Sequence, residues 1–508
     1  MRERVTFLVA RPEDTDPKNC ITNPNELKII SLRNATREDR YTFDFDSLPE
    51  KAQNLLRNIG QGHLVWSSGR FHNAQPPYTA RVPAGLHIMT NPGWFESVAE
   101  FLPAEETGEP TEVSFLAAAW GLSDWSGNKT ANTLRIGPWL HTFYSPVDSI
   151  VPFWGFMHKV FDGLQGITKT ERFEWMRKLD RLNTADYLDI QYDVGLKKVE
   201  VSTYWGPSDV DWSGWMVGNA EIGILGIDKA LNEEDIKLGG FIYEVEEGKP
   251  GAATAFAFPH RHHRAPSSFT LSTNTPTGLH PTLHLTIPGP PAPPRAECTL
   301  NAYFTLPASV FIDKYQLSST NVNLLQQLGL RKLRDVTGNT DLEAPEYSLP
   351  AREWGSRVLI ELDPDALAGE PLEIEIPLHT RYLKPRDNST AEAVIAWPSV
   401  FWACGGGSTK LDRSPFDRIG LGWEDQFPGD TVYYHLSPAP APVVGARASG
   451  TWVRIEVPVL DSSNANMILM GTVAAVALGF VGVVGAVLWS KASGKEVKKE
   501  VKKEKKAQ

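Results

Sequence analysis

The sequence predicts a mainly β protein: a β-sandwich-like body with a small helical segment, closed by one C-terminal transmembrane α-helix. Three observations carry that expectation. Apolar and polar residues alternate along many short runs, the period of strands with one face in water. Glycine and proline, 41 and 38 of 508 residues, punctuate those runs at intervals that suit a sandwich. One stretch near the C-terminus, Met467 to Trp489, holds no charged residue over 23 positions.

The clear alternating runs are 42–46, 198–201, 283–287, 372–376 and 453–457. Helical spacing is confined to about 145–183. There Ile150, Phe153, Phe156, Val160 and Leu164 share one face, and TERFEWMRKLDRL offers a second helix. These patterns divide the body into an N-terminal mixed β/α region over 1–185 and a β-rich region over 186–460. Within the latter, 206–280 reads as a loosely patterned insertion, and 248–268 is expected to be a surface loop. The proline-rich run 288–294 reads as a stiff connector or a loop.

Composition removes several classes. Hydrophobic residues at 41% and aromatics at 10% exclude a disordered, collagenous or coiled-coil chain. Three cysteines exclude a disulfide-stapled miniprotein or a multi-cysteine zinc module. The net charge of −11 combines a basic tail, 491–508, at +5 with a remainder at −16. A body that acidic has nothing to neutralise phosphates, so no nucleic-acid partner is expected.

At about 1.5 Å per residue, 467–489 reaches about 34 Å, enough to cross a hydrocarbon core of about 30 Å. The positive-inside rule places the tail, 490–508, in the cytosol. Lys505 and Lys506 stand fourth and third from the last residue, the dilysine spacing of an endoplasmic reticulum retrieval signal. Gly471, Ala475 and Gly479 recur every four residues, a small-residue face that admits a second helix at close range. The first 20 residues offer an apolar run of only six, too short for a signal peptide, which makes a tail-anchored cytosolic body the rival topology. Three glycosylation sequons, at Asn34, Asn128 and Asn388, favour a lumenal body.

The search for catalytic constellations is thin: HExxH, GxSxG, Walker A and Rossmann fingerprints are all missing from the sequence. His260, His262 and His263 alternate with Arg261 and Arg264, whose charges repel a cation, so a solvated loop is expected there rather than a metal. Asp209 and Asp211 form a DxD pair without a nucleotide-binding pattern around it. Cys404, ahead of three glycines, reads as a turn after a strand rather than a nucleophile. In an oxidising lumen, Cys298 and Cys404 are candidates for a disulfide, leaving Cys20 over. No cofactor is expected.

Five stretches carry a family resemblance: 298–307 (CTLNAYFTLP), 311–317 (FIDKYQL), 341–345 (DLEAP), 377–385 (PLHTRYLKP) and 398–404 (PSVFWAC). They resemble the PIG-X family, known in fungi as protease B nonderepressible protein. The opening MRERVTFLV, the DYLDIQYD segment and the C-terminal helix are similar to fungal members too. The resemblance implies a non-catalytic, lumen-facing endoplasmic reticulum subunit without a cleaved signal peptide. Such a subunit stabilises GPI mannosyltransferase I, whose polytopic, PIG-M-like catalytic partner adds the first mannose to the GPI precursor. Asp313, His379, Arg381 and Lys384 are the polar candidates for partner contact. Phe311, Tyr315, Leu378, Tyr382 and Phe401 are expected in the core. A lumenal chaperone-like protein with several clients is the second reading. A lumenal glycosyl-processing enzyme using Asp209 and Asp211 is the third.

Overall fold

The structure, a computed structural model, describes residues 2–9, 20–23, 26–48, 53, 61–70, 82–90, 134–136, 140–163, 168–193, 195–214, 220–228, 237–246, 249–274, 278–289, 291–338, 340, 344–349, 354–365, 371–405, 420–439 and 450–504. Strands β1 (Arg2–Val9), β2 (Cys20–Asn23), β3 (Glu26–Asp44), β4 (Gln61–Ser67), β5 (Gly85–Thr90), β6 (Leu134–Ile136) and β7 (Leu140–Ser145) open the fold. Helices α1 (Val151–Gly163) and α2 (Lys169–Leu182) follow, on the segment where helical spacing predicts them. Next come β8 (Tyr187–Asp193), β9 (Lys198–Gly214), β10 (Ala220–Asp228), β11 (Lys237–Glu246) and β12 (Lys249–Pro259). The chain continues through β13 (His262–Thr273), β14 (Thr282–Ile287), β15 (Thr299–Pro307), β16 (Val310–Phe311), α3 (Val322–Gln327) and β17 (Leu330–Gly338). It ends with β18 (Gly355–Leu362), β19 (Leu372–Pro377), β20 (His379–Thr380), β21 (Thr390–Ala396), β22 (Ser399–Cys404), β23 (Val432–Pro438), β24 (Trp452–Pro458) and α4 (Ala465–Glu504).

The first 12 strands make one sheet in the order β12-β11-β10-β1-β3-β9-β8-β4-β5-β7-β6, with β2 on β3. An eight-stranded sheet runs β17-β18-β15-β22-β23-β13-β14-β19, and β16-β20 and β21-β24 form two short pairs. Strand β1 is parallel to β10 and antiparallel to β3, so both its edges are paired. One core joins the two sheets: Leu8, Val65 and Leu225 from the first meet Tyr303, Leu359, Phe401 and Tyr433 from the second, around Trp423. Burying side chains of this size contributes about 1.5–3 kcal/mol each. Helices α1 and α2 cover the β4-β5-β8 face, where Ile150, Phe153 and Leu182 pack with Leu64, Leu86 and Leu188.

The alternating runs become one-sided strands. In β14, Leu283, Leu285 and Ile287 are buried, and so are Leu372, Ile374 and Ile376 in the paired β19. The 248–268 stretch corrects the sequence expectation, because it forms β12 and the start of β13 instead of a surface loop. Its pattern is unclear for physical reasons. Small alanines fill alternate positions of β12, and β13 is buried on both faces at its start, which erases alternation. Strands on either side of residue 185 share the large sheet, with β8 on β4 and β9 on β3.

The chain divides into two compact units, 1–382 with 392–456, and 383–391 with 457–508. In the second unit the 383–391 segment is tied to the residues that precede α4. The Arg386 amide donates to the Leu460 carbonyl (3.1 Å), Val459 to Ser389 (2.9 Å) and Ser462 to Arg386 (3.2 Å). The Ser462 hydroxyl also donates to the Asp387 carboxylate.

Candidate partner-binding surface

The two-residue strands β16 and β20 set Phe311 opposite His379 and Val310 opposite Thr380. Flanking amides hold β20 in place: Leu378 donates to Pro281 (2.8 Å), Thr380 to Leu279 (2.9 Å) and Arg381 to Ser309 (2.8 Å). His379 therefore sits on the Phe311 ring, 5.3 Å between centroids. Its Nε2 lies 3.2 Å from Gln316 Oε1, and its Nδ1 lies 3.0 Å from His280 Nδ1. One proton arrangement satisfies both contacts, with His379 neutral, donating from Nε2 and accepting at Nδ1 from His280. Partial burial, then the neighbouring His280, lower the His379 pKa, and Asp313 acts the other way.

Arg381 is buried. Its guanidinium lies 4.4 Å from the Phe311 centroid, and Nη1 donates to the Ala344 carbonyl at 2.8 Å. Its role in the fold is to tie three chain segments together, because a planar cation can stack and donate at once. Asp313 Oδ1 accepts the Tyr315 amide at 2.7 Å, a side-chain-stabilised turn. That turn lifts Tyr315 outward. Tyr315 and Tyr382 are 67% and 63% exposed, which corrects their expected place in the core, whereas Phe311, Leu378 and Phe401 are buried. The Tyr382 carbonyl accepts the Glu346 amide at 3.0 Å, and the next residue, Tyr347, is also exposed. The His379–His280 pair and the exposed Tyr315, Tyr347 and Tyr382 thus lie on neighbouring segments. Lys384 is exposed and belongs to the second unit.

Other candidate residues take separate places. Asn34, at φ 51 in a stretch of shifted β3–β9 register, is exposed, and its amide donates to Asp209 Oδ1 at 3.0 Å. One carboxylate of the DxD pair is thus held by backbone, and among the described residues no group of three or more His, Cys, Asp or Glu suits a metal ion. Asn388 is exposed at φ 79 in the second unit. Asn128, Lys505 and Lys506 lie outside the described residues. Cys298 and Cys404 are bonded, with Cα atoms 4.3 Å apart, where β15 begins and β22 ends. Cys404 consequently has no thiolate to offer as a nucleophile.

His260, His262 and His263 are buried at 1%, 0% and 6% exposure, contrary to the solvated loop expected of them. His262 Nδ1 lies 3.1 Å from His435 Nε2, and the His262 ring stacks on Tyr433. Burial lowers the His260 pKa to about 4. Burial and then the surrounding imidazoles also hold the His263 pKa well below its usual value. The arginines that suggested a surface reach out of the strand, Arg261 donating to the Gly429 carbonyl at 2.8 Å and Arg264 standing exposed.

Sequence reasoning also missed His63, whose Nε2 lies 3.0 Å from Asp189 Oδ2. Burial disfavours its cation, but Asp189 and the Gly420 carbonyl outweigh that and raise its pKa. Nearby Glu424 is raised to about 7 by burial. These partners are 126 or more residues from His63, and no local pattern signals them.

The apolar stretch Ser462–Lys491 lies almost wholly in α4; its most apolar 18 residues have a mean hydropathy of 2.4, and none of them is buried. It is a candidate single-pass membrane span, the one such helix among the described residues. Gly471, Ala475 and Gly479 are exposed on it, and a Cβ at Gly471 or Gly479 would meet nothing within 4 Å.

Comparison with known proteins matches residues 276–488 to the PIG-X / PBN1 family. "Protein pbn1" of Aspergillus fumigatus is 34% identical over 99% of this chain and 99% of its own length. "Protein PBN1" of Gibberella zeae is 33% identical over 99% and 100%. That of Saccharomyces cerevisiae is 28% identical over 55% of this chain and 61% of its own. With its β-rich body, its apolar C-terminal helix and relatives aligned from end to end, the chain belongs to the PIG-X/PBN1 family.

Proposed function

We propose that this chain is a non-catalytic, stabilising subunit of the endoplasmic reticulum GPI mannosyltransferase I, supporting addition of the first mannose in GPI-anchor biosynthesis. Its body, 1–460, is lumenal, α4 crosses the membrane once, and the basic tail is cytosolic, where Lys505 and Lys506 serve retrieval. The observation that carries this reading is the near-full-length relationship to PBN1 proteins. The buried Cys298–Cys404 bond supports an oxidising compartment. Exposed Asn34 and Asn388 have room for a glycan.

A polytopic PIG-M-like partner supplies the active site, because a lipid-linked sugar needs several helices around it. This chain contributes contact surfaces: Gly471, Ala475 and Gly479 pack against a partner helix. In the body, His379 and Asp313, with exposed Tyr315 and Tyr382, meet lumenal loops of the partner. Arg381 holds that surface in shape from beneath.

The test is deletion together with affinity purification of the tagged full-length chain from detergent-solubilised membranes. Deletion should accumulate the GPI precursor that lacks mannose, and a polytopic mannosyltransferase should co-purify. Normal mannosylation after deletion would sink the proposal. Loss of many lumenal glycoproteins, with no dominant partner, would favour the chaperone-like reading instead.

A further inference from the structure

The second compact unit joins 383–391 to 457–508, so the short segment belongs with α4. The apolar stretch Ser462–Lys491 has 30 residues. At about 1.5 Å each they reach about 45 Å, the thickness of a bilayer with its headgroups. The uncharged run 467–489 matches the hydrocarbon alone. Ser462 therefore marks the outer limit of the headgroup zone on the side of the body, and Met467 the start of the hydrocarbon.

Arg386 is fastened at that level. It pairs with Asp461 as in a parallel sheet, its amide donating to Leu460 and its carbonyl accepting from Ser462. The turn that follows is held as well. The Ser462 hydroxyl donates to the Asp387 carboxylate, and the Val459 amide donates to the Ser389 carbonyl. Every residue from 384 to 390 is exposed.

The charges of this unit's outer end are used unequally. Asp387 is taken by Ser462, and Asp461 accepts the Ser463 amide at 2.9 Å and the Asn464 side-chain amide at 3.2 Å. Among the described residues, neither the Lys384 ammonium nor the Arg386 guanidinium has a hydrogen bond or an ion pair. Leu460, whose carbonyl receives the Arg386 amide, is 53% exposed. Acids satisfied within the unit, two cations left over and an uncovered aliphatic side chain fit a surface that offers phosphate and hydrocarbon together.

We propose that Lys384 and Arg386 bind the phosphate groups of phospholipids in the leaflet nearest the body, docking this turn on the membrane surface. The proposal rests on α4 crossing the bilayer. A guanidinium held at headgroup depth has phosphate oxygens as its nearest acceptors, and charge-assisted hydrogen bonds to them are strong. Lys384, the cation of the distinctive 377–385 run that lies in the second unit, then serves the membrane rather than a partner protein. With α4 the turn makes a two-point attachment.

The test uses the full-length chain in phosphatidylcholine vesicles doped with photo-crosslinking phospholipids. One probe carries its diazirine on the headgroup, the other in the middle of an acyl chain. Mass spectrometry, after digestion by a protease that spares Lys and Arg, maps the labelled sites. The headgroup probe should label 383–391, and the acyl-chain probe should label 467–489. Lys384→Gln combined with Arg386→Gln should lower the first signal several-fold and leave the second and the melting temperature unchanged. Should that double variant fail to fold, the unaltered chain decides. Amide hydrogen exchange over 384–390 should then be slower in phosphatidylcholine than in a phosphate-free galactolipid, and equal rates would overturn the proposal. A turn without headgroup label, beside an α4 that takes the acyl-chain probe, overturns it and leaves the membrane span standing. Undiminished headgroup labelling in the folded double variant overturns the assignment to the two cations. An α4 without acyl-chain label removes the spanning reading itself, and the proposal with it.

Discussion

Strands β13 and β14 are hydrogen-bonded neighbours in one sheet, Thr270 opposite Thr286 through Thr273 opposite Leu283, yet they follow different rules. Strand β14 buries Leu283, Leu285 and Ile287 and turns His284 and Thr286 partly outward. Strand β13 begins with His262, His263 and Ala265 all buried, between the shared core and β23. The difference lies in what covers each strand. Where one face meets water, polarity alternates and the residue type reports its place. Where both faces are covered, even a histidine can be interior, provided that it stays neutral and finds a ring or a hydrogen bond.

The largest expected effect tests whether these neighbours can be compared within one cooperative unit. Replacing both Cys298 and Cys404 by Ser opens a crosslink spanning 106 residues, and chain entropy sets the loss at about 4–5 kcal/mol. Chemical denaturation of the β-rich body should show it as a single shifted transition. Two transitions instead would mean that the sheet does not melt as one.

Next is the one-sided strand. Leu285→Ala leaves a cavity under β14 and should lose about 2–5 kcal/mol in the same measurement. A loss under 1 kcal/mol would show that the alternating face packs loosely.

The buried approach to β13 should instead reveal itself by pH. His260 is held near 4 in the fold and titrates near 6.5 when unfolded. The unfolded chain therefore takes up a proton first as pH falls. Stability is whole above about 6.5, declines down to about 4, and changes no further from this group below that. At pH 5 the loss is about 2 kcal/mol by linkage. Thermal melts at pH 7 and pH 5 should differ by at least this much, since buried His87 and His263 are lowered too, and His260→Leu should reduce the difference. An equally steep slope in that variant would place the acid sensitivity elsewhere.

The smallest effect sharpens the contrast. Glu373→Gln changes the exposed face of β19, opposite Thr286, and should move stability by no more than about 0.5 kcal/mol.

The same contrast explains what could be read in advance. The runs at 283–287 and 372–376 and the helices between 145 and 183 follow from periodicity, because water on one side imposes it, and the apolar span of α4 follows from its unbroken lack of charge. Strand β10 escaped because strands flank both its edges and Ile222, Gly223, Ile224 and Leu225 are all buried, and β12 because alanines fill its alternate positions. Within the candidate surface, the distinctive 377–385 run was visible, but not the division of labour inside it. Arg381 is buried by the Phe311 ring and the Ala344 carbonyl, and Tyr382 next to it is exposed. Both placements depend on segments over 30 residues away, which no local pattern encodes. His280, Gln316 and Glu346 joined the site for the same reason.

The bond between Cys298 and Cys404 has a topological consequence. Strands β16 to β21, and with them Phe311, Asp313, His379 and Arg381, lie inside the covalent ring that it closes. A protease that cuts once anywhere in that ring leaves the two fragments on one molecule. On a gel without reductant the nicked protein keeps its full mass, and only reduction separates the pieces. The surface proposed to meet the partner is thus carried on a loop that a single cleavage cannot release.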